Sequence, residues 1–392
     1  MINTEKISVF LYGLLILLIP YFSFFAEISG LPLGFMANVW VLLIVILILC
    51  KPIPVKDLSV LFILVFLAIT ILVLRTFIYE VDKDELLHIR HIVVIPLYYY
   101  IFKWLKNRNA IDFNKIKNII VANSIFQSIF GILSFLFFPN FIISVITKGK
   151  TIEEIQMSAI GNEAGLLMNS NVYANFLVLG LIVFLSQKQW NKSTLKELIV
   201  IILLLFGIIV SQSRYAIGIA LVFLVIYTVK KLSPIVILTV ALLMLTVGSI
   251  IFFPYIKKAF DRGYFLEDRL RKLEIATTIF ENNKPFSFVI GAPNEEIGKK
   301  YGYNLMDIFS DNSYLSVILY FGLFFAIIYF SIVLFPFVVN MRNKIFCLFF
   351  IFYILSIMFI TNCIYWNYFF LYLYPIFWIL NNKTEVQTSK VY

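Results

Sequence analysis

A chain of 392 residues with 61% hydrophobic and 14% charged side chains, at a mean hydropathy of +0.95, falls outside the range of soluble globules, which are about half apolar and about a quarter charged. Lys and Arg outnumber Asp and Glu by 32 to 22, an excess that inward-facing membrane loops collect by themselves, so no nucleic-acid partner is called for. Cys50, Cys347 and Cys363 lie in apolar runs without close pairing or ligand spacing and suggest neither a disulfide framework nor a metal site.

A spanning helix needs about 20 predominantly apolar residues. Twelve segments meet that criterion: 8–25, 31–50, 57–77, 86–105, 116–138, 166–187, 194–212, 214–230, 233–253, 312–335, 344–362 and 364–380. The first has no obvious small-residue cleavage site after it and reads as a retained helix. The expected fold is an all-α polytopic membrane protein, one integral domain over 1–392 with about twelve transmembrane helices.

Orientation follows from the short loops. With Met1 cytoplasmic, the inward connections hold Lys51 and Lys56, then Lys103, Lys106, Arg108 and Lys115, then Lys188, Lys192 and Lys196, then Lys230 and Lys231, and finally Arg342 and Lys344. The outward short loops are poorer in basic residues, so both termini are expected inside. The long segment 254–311, between the ninth and tenth spans, is then extracytoplasmic. Its nine Lys and Arg do not oppose this, because long loops translocate largely regardless of charge. Nine Asp and Glu balance them, which favours local pairing or a site over a simple anchor to an anionic surface.

Polar groups inside spans need partners that lipid does not supply. Asn123 and Gln127 are four residues apart, as are Asn171 and Asn175, so each pair shares a helix face. For the first pair the plain expectation is hydrogen bonding between helices. Asn169, Asn171 and Asn175 begin a helix on the outer side, beside the polar stretch 140–165, where a substrate cavity is an equal alternative. His88 and His91 flank Arg90 at the start of the fourth span, where packing at the interface competes with a place in an acceptor pocket.

The turn Ser211-Gln212-Ser213-Arg214 interrupts an apolar hairpin and places one arginine at membrane depth or just outside. Such a charge is costly unless compensated. Either it snorkels to lipid phosphate, or its planar fork of donors serves a phosphate or pyrophosphate. Within the long loop, Phe265, Leu266, Leu270, Leu273, Ile275, Ala276 and Ile279 alternate with charges at the spacing of an amphipathic helix over 264–280. Arg262, Arg269, Arg271 and Lys272 then face anionic headgroups, or one of them points into a cavity. The loop passes Lys284-Pro285 and Gly291-Ala292-Pro293, which is turn chemistry, and ends at Asp311, Asn312, Ser313 and Tyr314. Asp311 or a neighbour is placed either to cap the next helix or to act in chemistry.

Three segments carry a family resemblance. Gly165 to Ala174 (GLLMNSNVYA) is similar to an asparagine-bearing helix start, and Ser211 to Arg214 to a serine–arginine turn. Asp268-Arg269-Leu270-Arg271 through Pro285 and Gly291, followed by Asp311 to Leu315 and Gly322, is similar to a large extracytoplasmic loop and its following span. Together they resemble the O-antigen polymerase (Wzy) branch of the O-antigen ligase and polymerase superfamily, over roughly residues 161–322; the first five spans match only in hydropathy.

The resemblance implies a glycosyltransferase of the bacterial cytoplasmic (inner) membrane, with its active site on the extracytoplasmic or periplasmic face. Donor and acceptor are undecaprenyl-diphosphate-linked oligosaccharides, the mechanism is inverting, and neither metal nor other cofactor is required. A chain-length regulator and a flippase are the implied partners besides the bilayer. Because the leaving pyrophosphate is already ionised, catalysis must stabilise its growing charge and deprotonate the attacking hydroxyl. Arg214 with Arg269 or Arg271 fits the first task, the loop acting as a lid and half-site. Asp311 or Glu163 fits the second. Arg90, Asn169, Asn171, Ser211, Ser213, Asn312 and Tyr314 are the expected substrate-binding residues. Related ligases carry a histidine before the span that follows the loop, where this chain has Asp311-Asn312-Ser313. That departure favours polymerase over the ligase that joins polymer to lipid A core. A lipid-linked oligosaccharide flippase remains the alternative from another class, although the chain has no evident internal repeat and no pair of Gly/Pro-broken spans in corresponding halves.

Overall fold

A computed structural model describes residues 4–30, 33–50, 52–79, 83–137, 165–167, 169–186, 195–211, 213–229, 264–282, 285–292, 312–339, 344–360, 363 and 369–381. Every regular element among them is helical. In chain order these are α1 (Thr4–Leu18), a 3-10 turn (Ile19–Tyr21), α2 (Phe22–Ser29), α3 (Leu33–Leu49), α4 (Val55–Ile78), α5 (Lys83–Asn107) and α6 (Phe113–Phe137). A 3-10 turn (Gly165–Leu167) precedes α7 (Ser170–Ser186), α8 (Leu195–Val210) and α9 (Arg214–Val229). Then come α10 (Tyr264–Asn282), α11 (Phe286–Val289), α12 (Ser313–Phe321), α13 (Leu323–Val339), α14 (Lys344–Ile360) and α15 (Phe369–Asn381).

Helices thus lie over eleven of the twelve expected apolar segments, and the remaining one, 233–253, falls outside the described residues. Two of them, α4 and α6, are long and apolar enough to cross a membrane. The surface of α4 is apolar where a soluble helix would be polar: Phe62 is 71% exposed and Phe77 82%, with Ile63, Phe66 and Ile69 also outward. Such a face is consistent with contact to lipid. The segment expected as one helix over 312–335 is two, because Gly322 adopts φ 85° and closes α12 with its N–H on the Ile318 carbonyl. A side chain at that position is disfavoured by the backbone alone.

The chain divides into two compact units. The first comprises Met1–Leu47, Arg108–Ala259 and Trp378–Tyr392. Its centre is α6, α7 and α8, packed mutually, with α1 on α6 and α9 on α7. Small residues let these backbones approach: a Cβ on Gly180 of α7 would overlap the Ser124 side chain of α6, the close packing expected between helices that cannot rely on water to drive them together. Several polar groups find partners across the same contacts, although the Gln127 Nε2 is buried without one among the described residues. Asn123 donates to the Leu17 carbonyl at 3.1 Å and accepts from the Tyr21 hydroxyl at 3.1 Å, and the Gln127 side-chain oxygen accepts from Leu166 N at 3.2 Å. Ser128 donates to the Leu203 carbonyl at 2.7 Å. Asn123 joins α6 to α1 as expected, whereas Gln127 ties α6 to the 3-10 turn ahead of α7 through its oxygen alone.

The second unit comprises Ile48–Asn107 and Phe260–Phe377. Here α4 pairs with α5, and α12 contacts α4, α10, α13 and α14. Near its ends α4 carries two buried ionic groups. Asp57 accepts from Lys103 Nζ at 2.6 Å and from Trp104 Nε1 at 2.9 Å, joining α4 to α5. Arg75, only 1% exposed, donates to the Ile290 carbonyl at 2.8 Å and sits over the Tyr79 ring at 5.6 Å. The Leu319 carbonyl of α12 lies 3.5 Å from the same guanidinium and also accepts from Ala292 N at 2.8 Å. Between them Gly291, at φ 81°, comes so close that a Cβ would overlap Leu319 O. Arg75 therefore clasps the segment after α11 onto the middle of the unit. Aromatic rings fill much of the rest: Phe337 stacks on Tyr374 at 5.2 Å and meets Phe377 edge-on at 5.1 Å.

Candidate functional site

At one end of the first unit, five of the residues expected to form a site come together. The segment leading into α7 is turned by Asn169, whose side-chain oxygen accepts from Asn171 N at 2.9 Å and Val172 N at 3.1 Å. Two of the N–H groups that a helix start leaves unpaired are thereby satisfied. One turn on, Asn175 is buried and donates to the Asn171 carbonyl at 2.8 Å. That contact leaves the Asn171 side chain, at the exposed start of α7, for another partner.

That partner comes from the α8–α9 turn. Ser211 is buried, donates to the Ile208 carbonyl at 2.5 Å and accepts from Ser213 N at 3.1 Å. This pair of bonds folds the chain tightly at the end of α8. Ser213 in turn donates to the Asn171 side-chain oxygen at 2.9 Å, and its carbonyl accepts from Ile217 N at 3.0 Å to close the first turn of α9. Arg214 follows as the first residue of α9 and is exposed. Among the described residues its guanidinium meets no hydrogen-bond or ion-pair partner.

Two helix N-termini, α7 and α9, are thus tied side by side through one hydroxyl–amide bond. Each helix start carries a partial positive charge of about half an elementary charge. With an arginine beside them, the end of this unit presents positive potential; Asn169 already takes the Asn171, Val172 and Tyr173 N–H groups of α7, so the donors offered to an oxyanion such as a phosphate are the Arg214 guanidinium and the start of α9. No family model, curated protein or solved structure matches the chain.

The remaining expected site residues fall elsewhere. Glu163 and Asp311 lie outside the described residues, as does the side chain of Arg269. In the second unit, Arg271 is exposed on α10, the amphipathic helix expected over 264–280. That helix buries a narrower face than its apolar pattern suggests: Ile275, Ala276 and Ile279 are buried, whereas Leu270 and Leu273 are exposed. Asn312, the neighbour of Asp311, caps α12 as one of the expected cap residues, its side-chain oxygen accepting from Tyr314 N at 2.9 Å and Leu315 N at 3.0 Å. The Tyr314 hydroxyl donates to the Leu355 carbonyl of α14 at 3.2 Å. Both side chains of this pair have structural employment there. Arg90 is half-buried in α5, and the side chains of His88 and His91 are outside the described residues.

Sequence reasoning passed over Arg75 and Asp57. A signal existed, since each is an ionic residue at an end of a strongly apolar segment, and the cost that singled out Arg214 applies to them equally.

Proposed function

We propose that the chain is a bacterial inner-membrane glycosyltransferase that polymerises undecaprenyl-diphosphate-linked oligosaccharide repeat units into O-antigen or a related surface polysaccharide. The observation that carries this reading is the Ser213–Asn171 bond. It joins two of the three segments on which the family resemblance rests and sets Arg214 open at the shared end. About twelve spans and an extracytoplasmic 254–311 loop belong to the same proposal, supported by the apolar segments and by the basic residues of the short loops.

In this reading the donor's diphosphate lies against Arg214 and the α7 and α9 N-termini. The bond between the anomeric carbon and the diphosphate oxygen breaks, and the electron pair leaves with undecaprenyl diphosphate. Arg214 and the start of α9, with the dipole of α7 behind them, stabilise that growing charge, which is the interaction that strengthens toward the transition state. A hydroxyl of the second lipid-linked unit attacks the opposite face of the anomeric carbon, inverting it, and gives its proton to a carboxylate. The resemblance assigns that base to Asp311 or Glu163. Asn169, Ser211 and Ser213 hold the donor side in shape, because their side chains fix the two helix starts rather than reach outward.

The test is purified protein mixed with a lipid-linked repeat unit and no other acceptor. Longer lipid-linked products are expected, with inverted linkage at the new bond. The absence of elongation, with transfer appearing only when lipid A core is added, would move the assignment to ligase. Repeat units trapped on the cytoplasmic leaflet of cells lacking the protein would indicate a flippase.

A further inference from the structure

We propose that the first unit holds a structural phospholipid with a zwitterionic, amine-and-phosphate headgroup in a groove between α1 and α6, at the end of the unit away from Arg214. The groove has a volume of about 630 Å³, within the range of about 300–1,000 Å³ that houses small-molecule ligands. Its lining is graded. Glu5 and Lys6 from the start of α1, with Asp112 and Lys115 at the start of α6, form the mouth. Leu14 and Leu17, two to three turns further along α1, and Ile116 and Ile119, within two turns further along α6, form the floor. Charged at one end and apolar beyond, the groove has the polarity profile of an amphiphile lying along a helix pair.

The two ends of the unit are set apart by α6 itself. Its first residues border the mouth, whereas Gln127, several turns on, holds Leu166 just ahead of the Asn169 cap. On the positive-inside orientation the mouth faces the cytoplasm.

Charge decides the headgroup. Two acids and two bases leave the mouth with no net charge. Asp112 commits one oxygen to the α6 start, accepting from Asn114 N at 3.0 Å, and presents the other 3.9 Å from Lys115 Nζ. A diphosphate would need an excess of cations there. A headgroup bearing one phosphate and one ammonium is matched by both signs at once: phosphate toward Lys6 and Lys115, ammonium toward Glu5 and Asp112. Phosphatidylethanolamine is the membrane lipid whose ammonium also donates N–H hydrogen bonds to those carboxylates; phosphatidylcholine carries the same charges without a donor, so it serves as the background lipid of the test. Gly13 borders the groove, and a Cβ added there would meet no atom within 4 Å, so the groove is open at that point. The inference rests on membrane placement and not on glycosyl transfer.

The experiment uses the full chain reconstituted in phosphatidylcholine vesicles containing a trace of phosphatidylethanolamine with a photoactivatable acyl chain, and maps the crosslinks by mass spectrometry. Labelling is expected on α1 and α6 around Leu14, Leu17, Ile116 and Ile119. Excess unlabelled phosphatidylethanolamine should suppress it, and phosphatidylglycerol should do so at least several-fold less well. Gly13→Phe, which fills the groove, should lower labelling there by about tenfold, equivalent to about 1.4 kcal/mol of affinity. Lys115→Glu, a change at an exposed position, should weaken competition by phosphatidylethanolamine several-fold and keeps the test alive if Gly13→Phe does not fold. Crosslinks spread equally over the outward face of α4 at Phe62 and Phe66, equal competition by phosphatidylglycerol, or labelling unchanged in either well-folded variant would each overturn the proposal. None of these readouts requires polymer synthesis, so failure here and failure of the polymerase assignment are separate results.

Discussion

Arg75 and Arg214 are the same side chain in opposite circumstances. In the second unit Arg75 is buried, with one carbonyl 2.8 Å away, a second at 3.5 Å and an aromatic ring beside it. In the first unit Arg214 stands exposed at a helix start, with no hydrogen-bond or ion-pair partner among the described residues. A cation whose donors are consumed by backbone carbonyls is part of the fold, because removing it strands those acceptors away from water. A cation held at a helix N-terminus, where the backbone already repels it, contributes nothing comparable to folding. The neighbours that fix its position, Ser211, Ser213 and Asn171, hold the backbone and leave the guanidinium open. The difference separates architecture from chemistry more cleanly than the presence of charge in an apolar chain does.

The largest expected effect is therefore at the clasp. Arg75→Leu should destabilise the protein by about 2–5 kcal/mol, through the stranded Ile290 carbonyl and the imperfect fill of the vacated volume. Thermal unfolding in detergent would read this as a large drop in midpoint or as loss of folded material; a midpoint unchanged from wild type would break the contrast at once. Gly291→Ala should follow at about 1–3 kcal/mol, because a residue with a Cβ is strained at φ 81° and that Cβ would overlap the Leu319 carbonyl. If Gly291→Ala unfolds with the wild-type midpoint, the segment after α11 is not held in the way the Arg75 bonds indicate.

Much of this was legible in the chain before any coordinates. The apolar segments read as helices, and Asn123 and Gln127 read as inter-helix donors and acceptors, because a polar group in a lipid-length helix has few other uses. The pairing of the Ser211–Arg214 turn with the Asn169–Asn171 helix start was only partly legible: family resemblance gathered them, but the Ser213–Asn171 bond is a long-range contact that no local pattern encodes. The break at Gly322 was hidden for a different reason. Leu315 to Leu334 is apolar on both sides of the glycine, and hydropathy registers length and composition while being blind to one residue at positive φ. The clasp was hidden because hydropathy averages over Arg75, whose meaning depends on carbonyls 215 and 244 residues away. The cap was legible to within a position: Asp311 or a neighbour was expected there, both Asp311 and Asn312 have suitable side chains, and it is Asn312 whose oxygen meets the first N–H groups of α12.

In the first unit the expected effects on stability are smaller and those on activity larger. Ser213→Ala removes the hydroxyl that spans from the turn to Asn171 and should cost about 1 kcal/mol, the usual net worth of such a bond. It should also shorten polysaccharide chains on the cell surface, read as a ladder compressed toward low repeat numbers, since the two helix starts lose their tie. Full-length ladders together with an unchanged unfolding midpoint would mean that the bond does not organise the site.

Arg214→Ala should have the smallest effect on folding of the four, within about 0.5 kcal/mol of wild type as for an exposed substitution. If the guanidinium serves the departing diphosphate, however, the same variant should lose most elongation, about 100-fold or more by the scale of removing a donor that acts on transition-state charge. Arg214→Lys sharpens the test, because lysine keeps the charge but lacks the fork that grips two phosphate oxygens. It should insert and fold like wild type and recover elongation only in part. Wild-type ladders from Arg214→Ala would make Arg214 an interfacial anchor for lipid phosphate. Destabilisation matching that of Arg75→Leu would make it a second clasp. Only a stable, inserted and inactive protein keeps the two arginines in the separate roles that their surroundings assign.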